Sequence, residues 1–186
     1  MTTPLNEEEI IGELQNQATC KEAFSKVVMQ YSQPLYWQIR RMVLSHADAD
    51  DLLQNTFLKA WCNISLFRGD AKLFTWLYRI AINESINFLN KQRKAQNIPL
   101  DGEHDFLLSQ LEADEYFDGD DVQKTLQEAI LLLPEKQRLV FNMHYFEGMK
   151  YEDISECLGS SVGALKATYH HAVKKVENYI ETKSIY

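Results

Sequence analysis

Apolar residues in this chain recur every three to four positions, and no segment sustains the alternation of a strand. Phe24, Val27, Val28 and Tyr31 stand at helical spacing and predict a helix that Pro34 should kink or interrupt. Trp37, Ile39, Met42 and Val43 continue that apolar surface. Asp48 or Asp50 can cap the next helix, whose acidic first turn suits the helix dipole. Leu53, Phe57 and Trp61 give it an apolar face and turn Gln54, Asn55 and Lys59 away. Phe67-Arg68-Gly69-Asp70 breaks the pattern, and a long helix follows from about Lys72 to Lys94. Further on, Pro134 suits the first turn of a helix and Gly148 its end. Tyr151 to Leu158 reads as a short helix closed by Gly159, with another starting near Ser161. The expected fold class is all-α: two small helical domains, 1–97 and 122–186, joined by a linker over 98–121.

Charge sharpens that division. The chain carries a net −8. Almost all of it lies in or beside the linker, where Asp101, Glu103, Asp105, Glu112, Asp114, Glu115, Asp118, Asp120 and Asp121 face the single Lys124. Both flanks are near neutral, so the acidic total does not argue against a nucleic-acid partner. The linker's charges repel and it offers little apolar surface to repay ordering, so it reads as extended. One short helical turn fits Phe106, Leu107, Leu108 and Leu111. An apolar fraction of 45% is enough for a packed core. The acidic start lacks a secretory pattern, and no window is apolar enough to span a membrane. Cys20, Cys62 and Cys157 are widely spaced and odd in number, which predicts reduced, buried thiols in a cytosolic protein. No metal-ligand spacing, phosphate loop or nucleophile motif is present, so neither a cofactor nor a small-molecule substrate is expected.

Two constellations carry candidate chemistry. On the long helix, Leu77, Tyr78, Ala81, Ile82, Phe88 and Leu89 fill one half of the helical wheel. Arg79, Asn83, Asn87, Asn90 and Lys94 fall in an arc of the other half with Lys91 beside them; Lys72 and Trp76 lead in and Arg93 follows. Asparagine has poor helix propensity, whereas its amide suits base edges and phosphates. Periodicity alone fits a solvated face equally well. The second constellation is Tyr151 to Val176, with the spacing of a helix-turn-helix: Ser155 where two helices cross, Gly159 at the turn, Leu165 pinning the second helix back. Leu165, Tyr169, Ala172 and Val176 form its buried stripe. Ser161, Gly163, Ala164, Lys166, Ala167, Thr168, His170, His171 and Lys174 remain for DNA. His170 and His171 are adjacent and point apart, which disfavours a joint metal site.

Three stretches in order, DADDLLQNTFLKAW, FRGDAKLFTWLYRIAINESINFLNKQRK and LLLPEKQRLVFNMHYFEGMKYEDISECLGSSVGALKATYHHAVKKVENYI, resemble the second and fourth regions of bacterial sigma factors of the small extracytoplasmic-function group. The resemblance implies a protein that binds core RNA polymerase and makes it promoter-specific. It implies that Asp51, Gln54, Asn55 and Lys59 dock on the clamp helices of the largest polymerase subunit. The family commonly carries an acid where this chain has Asn55. The resemblance assigns the Phe67 to Asp70 loop and the following helix to opening and reading the minus-ten element. Trp76, Arg79, Asn83 and Asn87 would capture unpaired bases, and Arg68, Lys72, Lys91, Arg93 and Lys94 would hold phosphates. The last domain would rest on the polymerase flap and place its second helix in the minus-thirty-five major groove. An anti-sigma partner is also implied.

The family commonly has arginines where this chain has Thr168, His171 and Val173, so residues 122–186 alone should bind DNA weakly. The linker's carboxylates suit a solvated spacer and a mimic of the phosphate backbone equally. A helix-turn-helix regulator without sigma activity would explain only the second domain. A helical protein adaptor would leave the Arg79 to Lys94 face unexplained.

Overall fold

The computed structural model describes residues 6–69, 71–95, 107–109, 111 and 121–184. The described elements are helical. They run α1 (Glu7–Gln15), α2 (Cys20–Val43), α3 (His46–Asn63), a 3-10 turn (Ile64–Leu66), α4 (Leu73–Ala95), α5 (Asp121–Leu131), α6 (Glu135–Phe141), a wide turn (Asn142–Phe146), α7 (Tyr151–Leu158) and α8 (Val162–Ser184). Helices α1–α4 form one bundle and α5–α8 the other. Most of the linker, with its carboxylates and Phe106, lies outside the described residues. Leu107, Leu108, Ser109 and Leu111 are helical, at the place expected for a short turn.

α2 runs through Pro34 without a break, contrary to an interruption there. Proline removes one helical hydrogen bond at a cost of about 3 kcal/mol. Burial outweighs it: Val27 before the proline and Leu35 and Ile39 after it are fully enclosed, at about 1.5–3 kcal/mol per large apolar side chain. α2 ends on Leu44, a non-glycine residue at φ 62. Its side chain is buried against Leu107, Leu111 and Leu131, and the Arg40 guanidinium donates to its carbonyl. That burial holds leucine where glycine would be expected. The reversed chain leaves Ser45 extended, and Ser45 caps α3 by accepting the Asp48 N–H at 3.3 Å. Neither Asp48 nor Asp50 is therefore the cap; both lie within α3, where their charge still suits the dipole.

Leu77, Tyr78, Ala81 and Ile82 of α4 are buried as the wheel requires. The Glu7 carboxylate accepts the Leu73 N–H, tying α1 to the start of α4. The second bundle has a core of its own in Ala129, Ile130, Leu133, Phe141, Ala172 and Val176. Leu139, Val140, Met143, Met149, Ile154 and Leu165 instead join the core of the first bundle, so apolar packing is continuous between the two. The cysteines depart from expectation: Cys62 is exposed, and Cys20 and Cys157 are half-buried. Cys62 lies in the last turn of α3, on its exposed side.

Candidate nucleic-acid and polymerase interfaces

Asp51, Gln54 and Asn55 are exposed on one side of α3, as predicted. Lys59 is also exposed, but it is paired with Glu84 of α4. Sequence reasoning missed Leu58, which is 61% exposed beside Asn55 and Lys59. Its period from Gln54 and Asn55 is the signal that was available.

Arg79, Asn83 and Asn87 stand exposed along α4, followed by Lys91 and Lys94. Asn90 is half-buried and its Oδ1 accepts from Arg93 at 2.9 Å. Other expected contact residues are engaged within the protein. Phe67 is buried, and the Trp76 ring lies tilted over it with centroids 5.0 Å apart. In this conformation Phe67 therefore supports Trp76 and does not face solvent. Gly69, at φ +79, turns the chain over Ile11, whose Cδ1 would lie 3.5 Å from an added Cβ. The adjoining Arg68 is exposed and lines a cavity of about 700 Å³ with Leu14, Cys20, Trp61, Ile64 and Phe67. Lys72 is paired to Asp153 of α7 at 2.7 Å, and that carboxylate, as its largest cause, raises the ammonium pKa.

The helix-turn-helix takes the expected geometry. Gly159 closes α7 at φ +63, and its N–H donates to Ser155 at 2.9 Å. Ser161 caps α8 through the Ala164 N–H at 3.3 Å. Leu165, Ala172 and Val176 are buried and Tyr169 half-buried. Gly163, Ala164, Lys166, Ala167, His170, His171 and Lys174 are exposed with Ser161. Thr168 is half-buried, its hydroxyl donating to Ala164 O at 2.8 Å. Lys166 leans over the Tyr151 ring at 5.7 Å. Cys157 donates to the Thr75 carbonyl at 3.5 Å, and burial pushes its thiol up to about 12, so it stays protonated and unreactive. Among the described residues no group of His, Cys, Asp and Glu has a metal-binding arrangement, and no helix is long and apolar enough to cross a membrane.

Residues 27–95 match the family Sigma-70 region 2, and residues 123–176 match Sigma-70, region 4. The RNA polymerase sigma-H factor of Pseudomonas aeruginosa is 31% identical, over 87% of this chain and 88% of its own. The extracytoplasmic-function RNA polymerase sigma factor SigW of Bacillus subtilis is 31% identical, over 81% of this chain and 84% of its own. Among solved structures, CnrH in complex with the cytosolic domain of CnrY shares the fold at TM-score 0.71 and 20% identity, over 95% of this chain and 97% of that one. The sigma factor RpoE of Bartonella quintana in complex with the anti-sigma factor NepR does so at TM-score 0.66 and 20% identity, over 85% and 96%. Two helical domains in the right order, a helix-turn-helix and an amide-faced helix thus meet an extended sequence match, and the chain belongs to the extracytoplasmic-function subfamily of sigma-70-type RNA polymerase sigma factors.

Proposed function

We propose that this sigma factor opens promoter DNA with the exposed face of α4 and reads the upstream element with α8. The observation that carries the reading is the row Arg79, Asn83 and Asn87: solvent-facing amides and a guanidinium on a helix whose other side is locked in the core. Such a row presents donors and acceptors at helical spacing to bases already unstacked. Lys91 and Lys94 extend it with charge for phosphates. Asp51, Gln54 and Asn55, with Leu58 as an apolar neighbour, form the docking face for core polymerase. Phe67 contributes indirectly, by backing Trp76.

The remaining assignments follow the same reading. The protein acts without catalysis of its own, takes no cofactor and works in the cytoplasm. RpoE is in complex with the anti-sigma factor NepR and CnrH with the cytosolic domain of CnrY, and we infer that an anti-sigma factor restrains this chain too. We place the domain limits at 97 and 122, each within two residues of a helix end, Ala95 of α4 and Asp121 of α5.

The test is reconstitution with core polymerase on a responsive promoter. Arg79→Ala, Asn83→Ala and Asn87→Ala together should leave core binding intact and lower open-complex formation at least about a hundredfold, since each of the three base contacts is worth about 1–3 kcal/mol. Permanganate reactivity of the melted strand reads this directly. Unimpaired melting by the triple variant would reject the assignment.

A further inference from the structure

Helix α1 lies ahead of residues 27–95, the stretch that matches Sigma-70 region 2, and neither constellation read from the sequence includes it. Ile10 and Leu14 bury it in the first bundle. Glu7, Ile11 and Leu14 stand at i, i+4 and i+7 and so share one face of α1. That face follows the chain between α3 and α4 in reverse order. Leu14 lines the cavity of about 700 Å³ with Phe67 and Arg68. Ile11 lies under Gly69, its Cδ1 and Cγ2 3.5 and 3.8 Å from where a Cβ would stand. Glu7 accepts the Leu73 N–H. The helix thus touches the loop at its start, its middle and its end.

The last contact answers a local deficit. The Lys72 carbonyl accepts the Trp76 N–H at 3.0 Å, which makes Lys72 the cap residue of α4. Serine, threonine, aspartate or asparagine there would accept a free N–H of the first turn, whereas a lysine side chain carries donors only. The first turn of α4 holds no acid either. Glu7, 66 residues upstream, supplies both the acceptor and the negative charge that a helix N-terminus favours. Its carboxylate also stands close to Tyr31 of α2. Burial first, and then the Glu7 charge, push the Tyr31 phenol up, and that ring lies 5.6 Å from Phe74, the second residue of α4. The start of α4 is therefore fixed from outside its own sequence. Trp76, Arg79 and Asn83 follow from that start at fixed helical steps, and Phe67, which backs Trp76, belongs to the same loop.

We propose that α1 is a brace for promoter opening, with Glu7 as its positioning residue, holding the Phe67 to Leu73 loop and the first turn of α4 in the shape that captures unpaired minus-ten bases. The inference rests on the role proposed for α4. Its test is Glu7→Ala in the full-length chain, with Glu7→Gln beside it because glutamine keeps an acceptor oxygen at the same reach. In the free protein, hydrogen exchange at the Leu73 amide should quicken about fivefold in Glu7→Ala, the factor of one ordinary cap, and stay within about twofold in Glu7→Gln. Holoenzyme on a responsive promoter should bind core polymerase unchanged. At saturating holoenzyme, its conversion to the permanganate-reactive complex should slow about fivefold in Glu7→Ala and recover to within about twofold in Glu7→Gln. A variant that was merely unstable would lose active protein, a defect that more sigma factor removes. Unchanged exchange, conversion at the wild-type rate, or a loss that excess sigma factor cures or glutamine does not relieve would overturn the proposal. The Arg79, Asn83 and Asn87 triple variant, run in parallel, separates the two readings. If it fails to melt DNA while Glu7→Ala melts normally, only the brace falls. If Glu7→Ala is slow while the triple variant melts normally, the brace stands and the row on α4 falls.

Discussion

α4 and α8 are both 23-residue helices, yet they are held differently. α4 buries Leu73, Thr75, Leu77, Tyr78, Ala81, Ile82 and Ser85, and contacts α2, α3 and α7. Among its described side chains α8 buries only Leu165, Ala172 and Val176, and leaves most of the face proposed to read DNA in solvent. The difference fits the different tasks proposed for them. A helix that must hold unpaired bases in register needs a rigid backing, and the interior supplies it. A helix that lies in an existing groove needs only orientation, which Gly159 and Leu165 provide.

Three sets of substitutions can break or sharpen this contrast. The largest effect is expected in the core. Leu77→Ala should cost about 2–5 kcal/mol, while Val176→Ala on α8 removes two methyl groups' worth of burial and should cost about 1.6 kcal/mol. Urea unfolding measures both, and equal losses would show that α4 is no better anchored. Next in size is the arginine deficit of α8. Thr168→Arg and His171→Arg should each tighten binding of a minus-thirty-five duplex and steepen the salt dependence by about one unit on logarithmic axes. An unchanged slope would mean that these positions do not face phosphate. The unmodified 122–186 fragment should bind weakly for a second reason, since Leu139, Val140, Met143 and Leu165 lose the core they share with the first bundle.

The smallest effect concerns the clasp between α5 and α8, where Glu128 accepts from Lys183 and from Tyr179 at 3.1 Å. Lys183, as the first cause, holds the Glu128 carboxyl below its ordinary value. A depressed carboxylate adds stability above the unfolded pKa and loses it as pH falls through the folded one. Melting temperature should therefore drop more between pH 7 and pH 3 in the wild type than in Glu128→Gln. Parallel losses in the two proteins would remove Glu128 from the account.

The parts of the fold that could be read from the chain were those set by local periodicity. Leu77, Tyr78, Ala81 and Ile82 of the α4 wheel, the turn at Gly159 and Leu165, Ala172 and Val176 of the α8 stripe appear as expected, because burial on one side of a helix must repeat at helical spacing, while Phe88, Leu89 and Tyr169 of the same faces are half-buried. Pro34, Ser45 and Leu44 could not be read that way. Each takes its conformation from neighbours distant in sequence: packing on both sides of Pro34, a reversal forced at Leu44, and a cap displaced to Ser45 in consequence. Phe67 was placed in the right loop but facing the wrong way, because only the packed Trp76 ring shows where it goes.

The amino-acid sequence by itself determined the two helical domains, their order, the acidic stretch between them and the residues that each reading helix turns outward. Periodicity and turn chemistry act within a few residues and leave their mark there. Tertiary structure alone decided that Lys72 meets Asp153, that Arg41 meets Glu147 and that Gln38, Thr75 and Asn142 are shut away beside them. Those pairings join positions about 80 and 106 residues apart. Which carboxylate a lysine finds at such separations depends on how two finished surfaces fit, and no local pattern encodes that fit.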